Sequence, residues 1–213
     1  MSRSVAFTPE LEEQPHWRLT RGHRCHGLSG TMELLTPRLR LREFDEEDWH
    51  ATWPYESDPE VVRYQSGGVR TPEESRQYLR ESMATAHESP RRTYDLAVVL
   101  REDGRLIGRV GLKVVDAEQR EGALWYVVVR SMWGKGYIPE AAEALLDYGF
   151  GTLGLHRVWG DCDPRNEASV RVQRKLGMRQ EAHFRENVFI KGEWVDSLIH
   201  AILDREWAAR PRR

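Results

Sequence analysis

Hydrophobic and polar positions alternate along several stretches of the chain, a pattern that predicts β-strands. In the first stretch, Leu35, Leu39 and Leu41 are separated by polar residues and indicate a single strand. More continuous apolar runs follow, and we expect a strand in each of them. These runs cover residues 94–100, 106–114, 123–129, 156–162, 184–190 and 195–203.

Helix-start signals mark the segments between these strands. Asp45, with the acidic residues after it, predicts a helix through Trp49 and Trp53, and residues 59–64 favour a second short helix. Thr71 is followed by Pro72 and then by acidic residues, which is typical of a helix beginning at that point. We expect that helix to end before Pro90.

Two further helices are predicted in the second half of the chain. Residues 139–153 place apolar side chains on one helical face, and Gly154 closes the helix. Residues 166–176 form the second helix, which Asn166 caps and Gly177 stops. Strands and helices together predict a mixed α/β (α+β) fold with helices on both faces of one sheet.

The length of 213 residues suits one domain with a substantial core. Residues 1–31 are polar and lack a hydrophobic period, so we interpret them as a flexible extension or the result of an upstream start. We assign residues 32–208 to the single domain and residues 209–213 to a basic tail.

Composition excludes several classes of function. The formal net charge is −2, and the main basic cluster is the tail, which argues against binding nucleic acid. No apolar run is long enough to cross a membrane. Two cysteines without a signal-peptide pattern predict a cytoplasmic protein with no disulfides. His23, Cys25 and His26 lie too close together to surround a tetrahedral metal ion, and no metal is predicted.

A glycine-rich turn follows the run 123–129. Residues 131–137 read Ser-Met-Trp-Gly-Lys-Gly-Tyr and lead directly into the helix 139–153. A strand, a glycine turn and a helix N-terminus in that order form a site for phosphate groups. Gly134 and Gly136 are not followed by a third glycine, so the turn is neither a dinucleotide fingerprint nor a Walker loop. A binder of another nucleotide phosphate remains one alternative.

Several motifs occur in a fixed order around this turn. They are Thr36 to Arg42, Trp133 to Tyr137, Glu140-Ala141, His156-Arg157, Asn166 to Ser169, and Lys175 to Met178. The series resembles the GNAT superfamily of acyl-CoA N-acyltransferases, and most closely its RimJ/RimL-like branch, which acetylates protein N-termini and small amines. The resemblance spans residues 33–207.

The resemblance implies a GNAT fold, in which a mostly antiparallel, twisted sheet splays apart at the acyl-CoA cleft. It also implies acetyl-CoA as co-substrate and direct transfer of acetyl to a primary amine. We expect a protein or peptide N-terminus as the acceptor. A polyamine-like or aminoglycoside-like amine is the alternative, as is an inactive acyl-CoA-binding sensor. Homodimers are common in the branch, which makes a homodimer plausible.

The resemblance also suggests which residues bind acetyl-CoA. Backbone groups of Tyr126, Val127, Val128 and Val129 are expected to pair with the pantetheine arm. The pyrophosphate is expected near Trp133, Gly134, Lys135, Gly136 and Tyr137, although Lys135 is nearly as easily explained as a solvated side chain. Ser131 stands where the superfamily often has Gln or Arg.

Asn166 and Ser169 carry two further implied roles. The asparagine would bond the pantetheine, and the serine hydroxyl would face the thioester sulfur and assist the leaving thiolate. Asn166 is equally well placed as a helix N-cap. Cys162 is interpreted as core packing and not as a nucleophile.

The general base and the acceptor site are the least determined parts. Relatives often carry a glutamate in the central strand where this chain has Ala123. Glu121 and Asp161 are candidate bases and Asp95 is a third, although each is also explained as a surface carboxylate. Aromatic residues expected near the acceptor, or else in the core, are Trp49, Trp53, Tyr55 and Tyr64.

Overall fold

The computed structural model describes residues 32–211, and every structural statement here concerns that range. The strands are β1 (Glu33–Leu35), β2 (Leu39–Arg42), β3 (Thr93–Leu100), β4 (Leu106–Asp116), β5 (Glu121–Val128), β6 (Arg157–Cys162), β7 (Arg179–Ile190) and β8 (Glu193–Leu203). The helices are α1 (Trp49–Glu56), α2 (Pro59–Val62), α3 (Pro72–Thr85), α4 (Tyr137–Gly151), α5 (Glu167–Lys175) and α6 (Asp204–Ala208).

The eight strands form one sheet in the order β1-β2-β3-β4-β5-β6-β8-β7. All neighbouring strands are antiparallel except β5 and β6, which are parallel. Parallel neighbours need a crossover connection, and α4 provides it. The predicted mixed α/β class, with a mostly antiparallel sheet, is confirmed.

The parallel pair separates soon after it begins. Pairing runs only from Glu121 opposite Arg157 to Ala123 opposite Trp159, although β5 continues to Val128 and β6 to Cys162. Beyond Ala123, no strand of residues 32–211 pairs with the edge of β5 that faces β6. The sheet is therefore splayed at its centre.

Hydrophobic residues pack on both faces of the sheet. On one face, α4 contributes Leu145 and Leu146 to a large core against β4 and neighbouring strands. On the other face, Tyr55 of α1 and Leu79 of α3 pack against Val99 of β3. Helices on both faces are confirmed.

At the start of α3, Thr71 and Glu74 each bond the backbone N–H of the other, as the start signal predicted.

Several predicted boundaries are wrong. The first strand is two strands, β1 and β2, which pair with each other around a turn at Pro37. α4 begins at Tyr137 and not at residue 139, because Gly136 adopts a φ of 80° as its N-cap residue. β7 begins at Arg179, five residues before the predicted 184, because its side chains are mostly exposed and hide the strand pattern. The short helix α6 was not predicted.

The sequence predicts neither a membrane-spanning segment nor a metal site, and the structure can be compared with these two expectations over residues 32–211. No helix of residues 32–211 is long and apolar enough to span a membrane. The same range contains no group of three or more His, Cys, Asp or Glu side chains that could hold a metal ion. His23, Cys25 and His26 lie outside the described residues.

A buried ion pair joins β3 and β4 on the face of the sheet that α1 and α3 cover. Arg109 of β4 is 2% exposed, and its Nη2 lies 3.1 Å from Oδ2 of Asp95 on β3. The Ser82 hydroxyl also donates to this oxygen, at 2.5 Å. Burial disfavours the charged form of Arg109, but its neighbours, led by Asp95, outweigh this effect and raise the pKa. Asp95 is thus paired with Arg109 inside the protein, and its role as a candidate base stays a prediction.

We expect Asp95→Asn to lower the free energy of unfolding by roughly 3 kcal/mol, because it leaves the buried Arg109 charge poorly compensated. Urea unfolding followed by circular dichroism measures the change. Glu102→Gln, in the exposed β3–β4 turn, is the control and should stay within about 0.5 kcal/mol of the parent protein. Equal stability of Asp95→Asn and the control would contradict the assignment.

Candidate active site

A groove of about 500 Å³ lies between the unpaired edge of β5 and the N-terminal ends of α4 and α5. We call it the α4–α5 groove. Its lining includes most residues predicted to hold the cofactor, namely Tyr126, Val127, Val128, Trp133, Gly134, Gly136, Tyr137, Asn166 and Ser169. Residues that are far apart in sequence are thereby brought together at the splay.

The glycine turn presents backbone donors to this groove. Gly134 and Gly136 have φ angles of 75° and 80°, in the left-handed region that favours glycine. Gly136 is the N-cap of α4 and no side chain caps that end. Pro139 has no N–H and the Glu140 N–H donates to the Gly136 carbonyl, so the N–H groups of Tyr137 and Ile138 are the ones in the first turn that remain available to an anion, which the helix dipole also favours.

Arg38 holds the turn in place, and the sequence had indicated it only as part of the opening strand. Its Nη1 donates to the carbonyl of Lys135 at 3.0 Å, and its Nε donates to Glu140 of α4 at 2.6 Å. Thr36 donates to the same carboxylate at 2.6 Å. Burial opposes ionisation of Glu140, but the hydrogen bonds from Thr36 and Arg38 outweigh it and lower the pKa.

Two of the predicted cofactor residues do not line the groove. The Lys135 ammonium lies 3.6 Å from the sulfur of Met132. Val129 follows the end of β5, and its N–H donates to the carbonyl of Ile107 at 2.8 Å. Val129 therefore cannot offer that N–H to a ligand, and the stretch available for pairing is shorter than predicted.

A second cavity, of about 460 Å³, lies next to the groove and is bounded by α1, α3 and the strands β4 to β8. We call it the α1 cavity. Tyr55 and Tyr64 line it. Trp49 and Trp53 do not: Trp49 packs under the guanidinium of Arg76, and the Trp53 indole donates to the carbonyl of Arg70 at 3.1 Å. The cavity therefore brings together two of the four aromatic residues expected near the acceptor, and their roles stay predictions.

Tyr126, Asn166 and Ser169 line both the groove and the cavity, so the two spaces meet at these residues. The Tyr126 hydroxyl lies 2.8 Å from the Ser169 hydroxyl. Burial raises the pKa of Tyr126, which keeps the phenol protonated at neutral pH. Asn166 accepts from the Ser169 N–H at 3.1 Å, which confirms the predicted N-cap.

The two remaining candidate bases lie at opposite ends of the β5–β6 pair. Glu121 is bonded to Arg157 at the closed end and lines neither space, so it lies away from the cavity and its role as a base stays a prediction. Asp161 lies at the open end and lines the α1 cavity. Its exposed carboxylate forms no hydrogen bond or ion pair with any other residue of the described range.

Cys162 also lines the α1 cavity, but its side chain is a protonated thiol and not a thiolate. Burial raises its pKa to about 11, so little thiolate forms at neutral pH. This agrees with the interpretation that Cys162 is not a nucleophile.

Sequence reasoning did not place Trp125 or Arg109 at the site, and both line the α1 cavity together with Glu56. For Trp125 the signal is a glycine, Gly111, at the opposite position of the neighbouring strand. Gly111 of β4 lies opposite Trp125, and a Cβ at Gly111 would come within 2.0 Å of the indole ring. Glycine at that position therefore allows the ring to lie across β4.

The sequence pattern that defines the acetyltransferase (GNAT) domain matches residues 38–179. The protein belongs to the GNAT family. A Bacillus subtilis relative, the uncharacterized N-acetyltransferase YnaD, is 36% identical over 176 residues, which are 83% of this chain and 99% of the relative. A GNAT acetyltransferase structure from Bacillus anthracis superposes with a TM-score of 0.75 at 33% identity, covering 82% of this chain and 99% of that one.

Two other relatives carry names that state an acceptor. A Bacillus subtilis protein, YdaF, provisionally named a ribosomal N-acetyltransferase, is 31% identical over 49% of this chain and 57% of its own. Escherichia coli spermidine N(1)-acetyltransferase is 25% identical over 80% of this chain and 89% of its own.

As a GNAT protein, the chain is an acetyl-CoA-dependent N-acetyltransferase. The α4–α5 groove fits that co-substrate, because it combines free backbone donors for a pyrophosphate with an unpaired strand edge for the amides of pantetheine. The GNAT fold expected from the sequence is confirmed.

We expect Gly136→Val to weaken acetyl-CoA binding by about tenfold or more, because a β-branched residue disfavours the left-handed conformation and distorts the turn. Calorimetric titration with acetyl-CoA measures the affinity. Gly104→Val is a matched control, since Gly104 has a φ of 74° in the β3–β4 turn and lines neither space. If Gly136→Val and Gly104→Val bound acetyl-CoA equally well, the assignment of the pyrophosphate site to this turn would be contradicted.

Proposed function

We propose that acetyl-CoA binds along the α4–α5 groove while the amine acceptor enters through the α1 cavity. The pyrophosphate then lies on the first turn of α4, and the pantetheine arm follows the free edge of β5 from Leu124 to Val128. The observation that carries this proposal is the meeting of the two spaces at Tyr126, Asn166 and Ser169. The thioester lies at that junction.

The groups at the junction supply what direct acetyl transfer requires. Asp161 first accepts a proton from the bound ammonium, and the neutral amine then attacks the acetyl carbonyl and forms the C–N bond. An N–H of the free β5 edge stabilises the oxyanion. As the C–S bond breaks, the paired hydroxyls of Ser169 and Tyr126 deliver a proton to the CoA thiolate and regain the proton that the acylated nitrogen loses. The C–N bond has then formed and no covalent enzyme intermediate is needed.

The proposed acceptor is a protein or peptide N-terminus, as in the RimJ/RimL-like branch. The relative named for ribosomal acetylation supports this choice. A polyamine is the second candidate, which the spermidine acetyltransferase relative favours. The inactive sensor is not kept, because the relatives are named N-acetyltransferases and both the hydroxyl pair and a free carboxylate are in place. A cytoplasmic location and a homodimer stay predictions.

Acetyl transfer from acetyl-CoA to short N-terminal peptides and to spermidine, followed by release of CoA thiol, tests the proposed acceptor. We expect the peptides to give the higher kcat/KM. Turnover of spermidine alone would replace the first candidate by the second.

We expect Ser169→Ala and Tyr126→Phe each to lower kcat by about 100-fold, since each removes part of the proton donor for the thiolate. The affinity for acetyl-CoA should change far less, as calorimetry can establish. Because the two hydroxyls form one hydrogen-bonded unit, the double variant should be no slower than either single one. Thr152→Ala, exposed at the C-terminal end of α4 and lining neither space, is the control. An unchanged kcat in both single variants would give the pair a structural role only.

We expect Asp161→Asn to lower kcat/KM by about 100-fold at pH 7 and to recover as pH rises. The recovery follows because an N-terminal amine, with a pKa near ~8, loses its own proton at higher pH and then needs no base. The pH profile of kcat/KM with a peptide acceptor measures this, with Asp103→Asn in the exposed β3–β4 turn as control. A profile parallel to that of the parent enzyme would exclude Asp161 as the base.

A further inference from the structure

The deep end of the α1 cavity is lined by polar side chains that are almost wholly inside the protein. Tyr55, Glu56 and Arg109 are 1%, 4% and 2% exposed, and all three line the cavity. We call these three residues the cavity floor. The transfer chemistry at Tyr126, Ser169 and Asp161 uses none of them.

Several polar atoms of the cavity floor have no hydrogen-bond partner among residues 32–211. They are the Tyr55 hydroxyl, Glu56 Oε2, and Arg109 Nε and Nη1. The other Glu56 oxygen lies 3.4 Å from Arg70 Nη1 and 3.7 Å from Arg109 Nη1, which is long for hydrogen bonds between charged groups. Buried polar groups are normally paired, so the floor indicates a ligand group that supplies the partners.

The charges around the floor select the kind of group. The two guanidinium groups of Arg70 and Arg109 are balanced by the carboxylates of Glu56 and Asp95. If the acceptor carried a second charged group, that group would lie beside both guanidinium and carboxylate groups at the floor. The floor therefore favours neither a cation nor an anion. Burial raises the pKa of Tyr55, so its phenol stays a donor beside those of Arg109. A neutral group with one acceptor and one donor, such as an amide, matches both kinds of unpaired atom.

The distance from the floor to the reacting amine fits a short piece of peptide. Arg109 lies directly opposite Val127 in the β4–β5 register, so both side chains project from the face of the sheet opposite to that of Tyr126. The floor and Tyr126 nevertheless line the same cavity, which passes through the gap between β5 and β6. Crossing a sheet from one face to the other takes about 10 Å, and one extended residue spans roughly 3.3 Å. An amide two or three residues from the acceptor nitrogen would therefore reach the floor.

We propose that the cavity floor recognises an amide group of the acceptor close to its reacting amine. The amide N–H is donated to Glu56, and its carbonyl accepts from Arg109 and Tyr55. The floor thus makes peptide N-termini better acceptors than amines without an amide. This inference rests on the proposed function, because it requires the acceptor to occupy the α1 cavity.

The test compares kcat/KM for three acceptors, which are a Ser-Ala-Ala peptide amide, propylamine and spermidine. We expect the parent enzyme to favour the peptide by about tenfold or more, as for a site built around buried hydrogen bonds. Glu56→Gln and Tyr55→Phe should lower kcat/KM for the peptide by about tenfold and leave the two amide-free amines within about twofold. Affinity for acetyl-CoA should be unchanged in both variants.

Glu81→Gln, on the exposed surface of α3, is the matched control and should change none of these values. Tyr55→Phe removes only an unpaired hydroxyl and so keeps the test decisive if Glu56→Gln folds poorly. Equal use of peptide and amide-free amines by the parent enzyme, or equal losses for all three acceptors in the variants, would overturn the inference and leave the proposed function standing. Failure to acetylate any amine would overturn both.

Discussion

The early separation of β5 and β6 is the constraint on which the rest of the site depends. A parallel pair that stays bonded for only three residue pairs leaves one edge of β5 open in the middle of the sheet. Gly160 lies in β6 just after the last pair, and a Cβ there would come within 3.0 Å of Gln173 and 3.3 Å of the Leu124 carbonyl. Glycine thus lets α5 approach the gap closely. Because α5 carries Asn166 and Ser169 at its N-terminal end, the gap and the polar groups that border it are fixed together.

Arg109 shows how one buried charge can serve both stability and recognition. Its Nη2 is held by Asp95 and Ser82, and its guanidinium packs against the rings of Phe44 and Tyr78. These contacts hold α3 and the segment before α1 against the sheet. Its Nε and Nη1, by contrast, have no hydrogen-bond partner in the described range, although Nη1 lies 3.7 Å from Glu56 at the floor of the α1 cavity. The bonds on one side of the guanidinium therefore fix the position of the donors on the other.

The parts that the sequence could predict depend on neighbours along the chain. The glycine turn, the Asn166 cap and the capping pair of Thr71 and Glu74 are local signals, and the structure contains all three. The parts that the sequence could not place depend on which residues meet across the sheet. Glu121 and Asp161 look alike as strand carboxylates, but only the register shows that Glu121 faces Arg157 at the closed end. A helix pattern likewise does not show which aromatic residue faces a cavity, and Trp49 and Trp53 line neither space.

The proposed acid and base differ because their surroundings differ. Tyr126 is half-buried at the junction, where burial raises its pKa and so favours the protonated phenol. Asp161 is exposed at the open end of the same gap and forms no ion pair with another residue of the described range. The splay that opens the sheet therefore also creates two environments within one cavity system. A single event, the separation of two strands, leaves room for the co-substrate and places a half-buried phenol and an exposed carboxylate in one cavity system.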